Sequence, residues 1–421
     1  MATKEHKEHK NRVEITPLSS SSLCFYVAIL PFREAVMPRI VLLVLVALAP
    51  TLSRAADLAP EPRPAGTHAR LGTPGPPSAR VPGAYPRAIT SVYFTPDGKH
   101  VLTADSKRRV VKWAGTGAKL TRMDDPAETA TDHSESAFRP DGRAVAFTDY
   151  VGLKGLDLTG GKRSFATPHT YWTRIGGWSA DGRRLLAVHG EIVNGKWAET
   201  VGTLVDTRTQ KVLATVRVGP ESELALLPDG ATVVTATPKG VPQTGRMEFE
   251  FVATDVTTGK KLASYRGPYA YQSRLTPLPD NRTVVVTYGD HSGLIWDAVT
   301  GKEVRRFNGA PVAVSADGKL MVLGVNEPLP MPGDLKLAWE WFGDILSPRR
   351  GKACGHGFKR DYRTRLLVVD VATGETRFEV PSDREGAPPM AFSPDGKTLA
   401  VVEPDDTTVL LWDLTRLAPK R

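Results

Sequence analysis

The sequence predicts an all-β fold: seven four-stranded antiparallel blades of a β-propeller, with the ring closed by an N-terminal strand. Three observations predict it. A turn centred on Asp recurs at Asp97, Asp141, Asp181, Asp229, Asp280, Asp317 and Asp395, each time after a short apolar strand. Successive turns are 44, 40, 48, 51, 37 and 78 residues apart, and a period near 40 with four strands per unit defines a propeller blade. Helical periodicity is almost absent, while the 38 Gly and 34 Pro supply the turns an all-β repeat needs.

One copy shows how the residues build the unit. Met390 to Ser393 is a short strand. Pro394-Asp395-Gly396-Lys397 turns it back: Pro presets φ, Asp caps its own backbone and Gly takes positive φ. Thr398 to Val402 is β-branched and apolar, so it continues as a second strand, and Pro404-Asp405-Asp406 breaks it. Thr407 to Trp412 is a third strand, ended by Asp413. The same end-mark recurs at Trp296-Asp297 and Asp370, and in looser form at Asp157, Asp206 and Asp255. The first copy has Trp113-Ala114 and lacks the acid. A Thr/Gly turn such as Thr300-Gly301-Lys302 then leads to a fourth strand.

At FSPDGK and LWDL in copy seven, and LIWDAVTGK in copy five, the chain resembles the WD40 repeat family over roughly Ala88 to Leu414. Copies two to four match only in pattern. The resemblance implies a propeller. The Gly-His dipeptide that precedes the first strand in that family is missing from nearly every copy, so apolar packing is expected to replace the hydrogen-bonded tetrad that His anchors. Copy seven has only Thr415 to Arg421 after Leu414, too little for a fourth strand. The resemblance implies that the N-terminal side supplies it, here through Ala69 to Thr73 or Ala79 to Val81, which removes exposed sheet edges.

The blades are expected within 87–417, with insertions between second and third strands. Glu191 to Trp197 lies there in blade three, Pro238 to Gly245 in blade four, and 326–362 in blade six, which accounts for the 78-residue spacing. These loops share one face with the links between blades, two of which are aromatic: Tyr171-Trp172, and Tyr269 and Tyr271. In the blade-six insertion, Asp334 to Leu346 has the pattern of a short helix capped by Asp334 and carrying Trp339 and Trp341. Candidate partner-binding residues are therefore Tyr171, Trp172, Trp197, Tyr269, Tyr271, Trp339 and Trp341, since loops on a rigid scaffold carry function and aromatics anchor interfaces. They also suit stacking on sugar rings.

Residues 37–56 read as a signal peptide. A basic start at Arg39, a ten-residue apolar core from Ile40 to Ala49 and small residues at Ala55-Ala56 fit export. Ten residues fall short of the roughly 20 that span a bilayer. Residues 1–36 read as a non-native or disordered extension, with Met37 as the expected start. The alternative is an uncleaved anchor. Residues 57–86 are a Pro/Gly-rich linker. Removing the seven basic and four acidic residues of 1–56 from totals of 55 and 46 leaves 48 and 42, net +6. That mild excess gives no reason to expect a nucleic-acid partner. Cys24 leaves with the leader, so Cys354 has no partner for an internal disulfide.

The chain carries no His-Glu-x-x-His, Cys-x-x-Cys, Gly-x-Ser-x-Gly or phosphate loop. Cys354 and His356 alone do not make a zinc site, and Asp290, His291 and His189 read as turn and strand residues. The turn aspartates and Asp297, Asp370 and Asp413 are read as backbone caps rather than metal ligands or catalysts. The inner strands, such as Val92 to Phe94 and Leu224 to Leu226, read as apolar, which argues against a channel enzyme. No catalytic residue, cofactor or metal is expected. The expectation is an exported, monomeric, non-catalytic scaffold that binds a protein; a propeller hydrolase and a glycan binder are the alternatives.

Overall fold

The computed structural model describes residues 64–72, 88–124, 135–149, 152–160, 163–241, 246–268, 274–288, 291–328, 362–382, 387–404 and 406–417, except 167–172 and 161–162. These form seven four-stranded antiparallel sheets and no helix. In six blades the strands pair in chain order, as in Ile89–Phe94, His100–Asp105, Arg109–Ala114 and Lys119–Asp124 of blade one. The seventh contains Met390–Phe392, Thr398–Val402 and Val409–Asp413, and its outer strand is Thr67–Leu71. Leu71 pairs with Val409, Arg70 with Leu410 and Ala69 with Leu411. The ring is thus closed by the first of the two expected segments, beginning two residues earlier. Arg70 Nη2 also donates to Glu403 Oε1 at 2.8 Å. The alternative segment at Ala79 to Val81, the leader, the Asp334 helix, Asp290 and Cys354 lie outside the described residues.

Second strands are buried through the body of the blade because both faces are covered. In Thr398–Val402 every residue after Thr398 is buried. Outer strands revert to alternation, as Lys211–Val218 shows over its second half. Cores lie between neighbouring sheets. Ala69, Leu71, Ala400, Val402, Val409 and Leu411 of blade seven pack with Ile89, Val92, Phe94 and Val101 of blade one.

Trp296 and Trp412 are fully buried third-strand residues that face the preceding blade. The Trp296 ring sits 6.1 Å from that of Phe251 in blade four. Its indole Nε1 is buried with no hydrogen-bond partner among the described residues. This indole is held by apolar packing, whereas in blade one Trp113 Nε1 donates to Thr103 Oγ1 at 2.9 Å.

All seven turn aspartates cap backbone. Oδ1 of each accepts the N–H two residues on, at 3.1 Å for Asp97, 2.9 Å for Asp141, 3.0 Å for Asp181, 2.8 Å for Asp229, 3.0 Å for Asp280 and 3.1 Å for both Asp317 and Asp395. In three copies a serine relays the network: Ser393 Oγ donates to Asp395 at 2.6 Å and accepts the N–H of Thr398 at 2.9 Å. Ser179 and Ser315 do the same. Strand-end aspartates act alike. Asp413 Oδ1 accepts from Thr415 N–H at 3.0 Å, and Asp297 Oδ1 from Val299 N–H at 2.9 Å.

The insertions of blades three and four differ from the loops the sequence suggests: they lengthen the strands. In blade three, Arg184–Val193 and Lys196–Asp206 pair to their ends around Asn194-Gly195, whose φ values of 53° and 72° make a type I′ hairpin turn. Asn-Gly tolerates positive φ at both positions, so pairing continues where a loop is expected. In blade four, Thr232–Val241 and Arg246–Asp255 likewise pair from end to end. Blade six has nine-residue strands here, Leu320–Pro328 and Tyr362–Asp370.

Candidate functional site

Long second and third strands rise from blades three, four and six toward the face where the fourth strand of one blade ends and the first strand of the next begins. Of the aromatic candidates, Trp197 alone lies within the described residues. Tyr171, Trp172, Tyr269, Tyr271, Trp339 and Trp341 fall outside them, as do the two aromatic links. Trp197 pairs across the hairpin with Ile192. Its ring lies over Gly190, where an added Cβ would come within 2.3 Å of Cζ2. Glycine is therefore what lets the indole lie flat on the hairpin. Trp197 stays 38% exposed, beside the exposed Ile192 and Val193. Three large apolar side chains at a projecting tip are a small wet apolar surface. At the base of this hairpin Arg217 Nη1 reaches Glu191 at 2.9 Å and Glu199 at 3.0 Å. His189, on the second strand, is half-buried and its imidazole is pushed below the ordinary value by that burial.

The same face opens onto the central channel, where the inner strands begin. A cavity of about 340 Å³ lies there, walled by blades one to five. Charged residues occupy equivalent positions in four successive blades. Glu135 immediately precedes Ser136–Phe138, Arg174 is in Thr173–Trp178, Glu223 opens Glu223–Leu226 and Arg274 opens Arg274–Pro277. Their signs alternate. Blades six and seven place Ala310 and Pro389 at the matching position, and blade one places Thr90 and Ser91 there, so among the described inner-strand positions the charged ones fall in blades two to five.

These side chains meet. Arg174 Nη1 bonds Glu223 Oε1 between blades three and four. Burial pushes the Glu223 carboxyl above its ordinary value, and the Arg174 guanidinium opposes that push. Glu135 Oε2 accepts the N–H of Ile175 at 2.9 Å, tying blade two to blade three. Its Oε1 faces Arg274 Nη2 across the channel at 3.7 Å. Beside Glu135, Ser136 Oγ is 2.8 Å from Thr90 Oγ1 and 2.7 Å from Ser91 Oγ. The reading of the inner strands as apolar is thus corrected at their first residues: two carboxylates and two guanidinium groups converge at the mouth.

A sequence signal for this set does exist. Glu135, Glu223 and Arg274 each stand six residues before their turn aspartate, at Asp141, Asp229 and Asp280. Arg174 stands seven before Asp181 because the register shifts between Ile175 and Gly177. The bulge hides the equivalence. Among the described residues no group of three or more His, Cys, Asp and Glu is arranged to hold a metal ion.

The fold and its repeats define a seven-bladed β-propeller of WD40-like repeats. Among solved structures, the chain is similar to the β-propeller domain of Cps50 (Swd1) from Myceliophteria thermophila. The match has a TM-score of 0.52 at 14% identity and covers 77% of this chain and 97% of that one. No protein-family model and no curated protein matches the sequence.

Proposed function

We propose that the protein is an exported, monomeric, non-catalytic scaffold that binds a protein partner through the face carrying the long hairpins. The observation that carries this reading is the one-sided extension of blades three and four, ending in blade three with exposed Ile192, Val193 and Trp197. A paired hairpin with a two-residue turn is a rigid support, and a rigid aromatic at its tip is the kind of anchor that interfaces use. Export rests on residues 37–56, with their short apolar core and small-residue cleavage site. The solved relative is described as a propeller domain, and that likeness supports the fold from which the interaction reading starts.

The convergence of Glu135 and Glu223 at the channel favours a second reading, a channel hydrolase. Against it, each carboxylate already accepts a bond, Glu135 from Ile175 N–H and Glu223 from Arg174. A glycan partner would use the same tip aromatics.

The test is capture from the exported fraction by three forms: the chain, Trp197→Ala with Ile192→Ser, and the chain with 326–362 replaced by a Gly/Ser loop. The expected result is one partner held by the chain and reduced at least about tenfold by either alteration, with all forms folded. Equal capture by all three, or none by the unaltered chain, overturns the reading.

A further inference from the structure

The channel mouth has a feature that ring-building does not use. Arg174 and Glu223 close on each other, and Glu135 Oε2 is occupied by a backbone N–H. Arg274 and Glu135 Oε1 stand 3.7 Å apart, beyond hydrogen-bond distance, with the Arg274 side chain 68% exposed. This is a loose ion pair at the entrance of a cavity of about 340 Å³, the lower range for small-molecule sites.

We propose that the cavity binds a small zwitterion of the α-amino-acid type, its ammonium group on Glu135 and its carboxylate on Arg274. Charge balance selects the class. Among the described lining residues, two carboxylates and two guanidinium groups balance. An anionic ligand would add negative charge close to Glu223, which burial already disfavours as an anion, and a cation on Glu135 would leave Arg274 without its counter-charge. A zwitterion replaces the loose pair one charge for one. The exposed Arg274 side chain has room to swing and admit it. On the other side, the hydroxyls of Thr90 and Ser136 line the cavity and offer donors or acceptors to a polar side chain of the ligand. Free amino acids and short peptides both carry this chemistry; the 340 Å³ volume and the closeness of the two charges favour the free amino acid. The inference is independent of the hairpin-face reading and survives its failure.

Calorimetric titration of the full chain tests it, with the common amino acids as probes and dialanine as the peptide arm. For whichever amino acid binds best, the N-acetyl and amide forms are titrated too. At least one zwitterion is expected to bind with a Kd below about 1 mM, and blocking either end is expected to weaken it at least about tenfold. Arg274→Gln and Glu135→Gln are each expected to do the same. Tighter binding of dialanine would assign the peptide source and keep the site. Should Glu135→Gln fail to fold, because Ile175 N–H loses its acceptor, Arg274→Gln on an exposed side chain decides alone. The proposal is overturned if no probe binds the folded chain below about 10 mM, if blocked forms bind equally well, or if Arg274→Gln leaves the affinity unchanged.

Discussion

Gly396 sits at φ 67° with no heavy atom within 4 Å of where a Cβ would be. Gly396→Ala therefore isolates backbone strain from packing. It is expected to cost about 1 kcal/mol, the usual penalty for an L-residue held left-handed, as read by urea unfolding. Asn281 occupies the equivalent place in copy five at φ 57°, and asparagine tolerates that region. Asn281→Gly is expected to change stability by less than half as much, since relief of strain is offset by the entropy of a freer unfolded chain. At the same residue scale, thirteen aspartates in two repeated turns act as backbone caps. Each spends its oxygen on backbone N–H groups, as at Asp181 and Asp206. Asp297 shows the limit of the pattern. Burial alone would raise its carboxyl, but Arg282 Nε and Nη2 donate to it at 2.8 and 2.6 Å. With the N–H groups of Thr300 and Val299, they hold it well below the carboxylate range.

At the scale of the element, the closing strand matters most. Thr67–Leu71 is the only strand of blade seven drawn from the other end of the chain, and Ala69 and Leu71 are fully buried in the layer shared with blade one. Without it, Val409–Asp413 would present an unpaired apolar edge. A chain beginning at residue 73 is expected to lose stability beyond any single substitution and to associate, seen as higher-mass species by light scattering. A peptide spanning 64–72 added in excess should reverse this. If the truncated chain stays monomeric and as stable as before, the strand is not what closes the ring. The hairpin of blade three is the second element of consequence. Its Asn194-Gly195 turn was visible in the sequence, yet a stretch that contains Glu191, Lys196 and Glu199 lacks the apolar alternation that marks a strand. Cross-strand pairing beyond the blade body carries it instead.

At the scale of the whole molecule, the channel wall exists only once blades two to five are side by side. Arg174→Gln would leave Glu223 buried without its cation. With Arg174 itself partly exposed, a loss of about 1–3 kcal/mol at pH 7 is expected. Burial raises Glu223 above its ordinary value, and removing Arg174 raises it further. The deficit should therefore be small wherever the folded carboxyl is still protonated, and should grow as pH rises through its raised folded-state value, above the ordinary carboxylate range. Urea unfolding at pH 4, 5.5 and 7 would read this. A deficit that is flat with pH would show that Arg174 acts by packing alone.

The seven turns, their spacing and the blade count are all written locally. A Pro-Asp-Gly turn and a β-branched run act through their immediate neighbours, so the text of each copy is enough to identify it. What sits beside what across the ring is not written that way. Glu135 and Arg274 are 139 positions apart in the chain and meet only because the inner strands of blades two to five line one channel. One bulge in blade three displaces Arg174 from the repeat that would reveal the set. The loose pair at the channel mouth, the layer that makes Leu71 indispensable and the projection of Trp197 are products of packing between elements, and only the tertiary structure, which sets those distances, decided them.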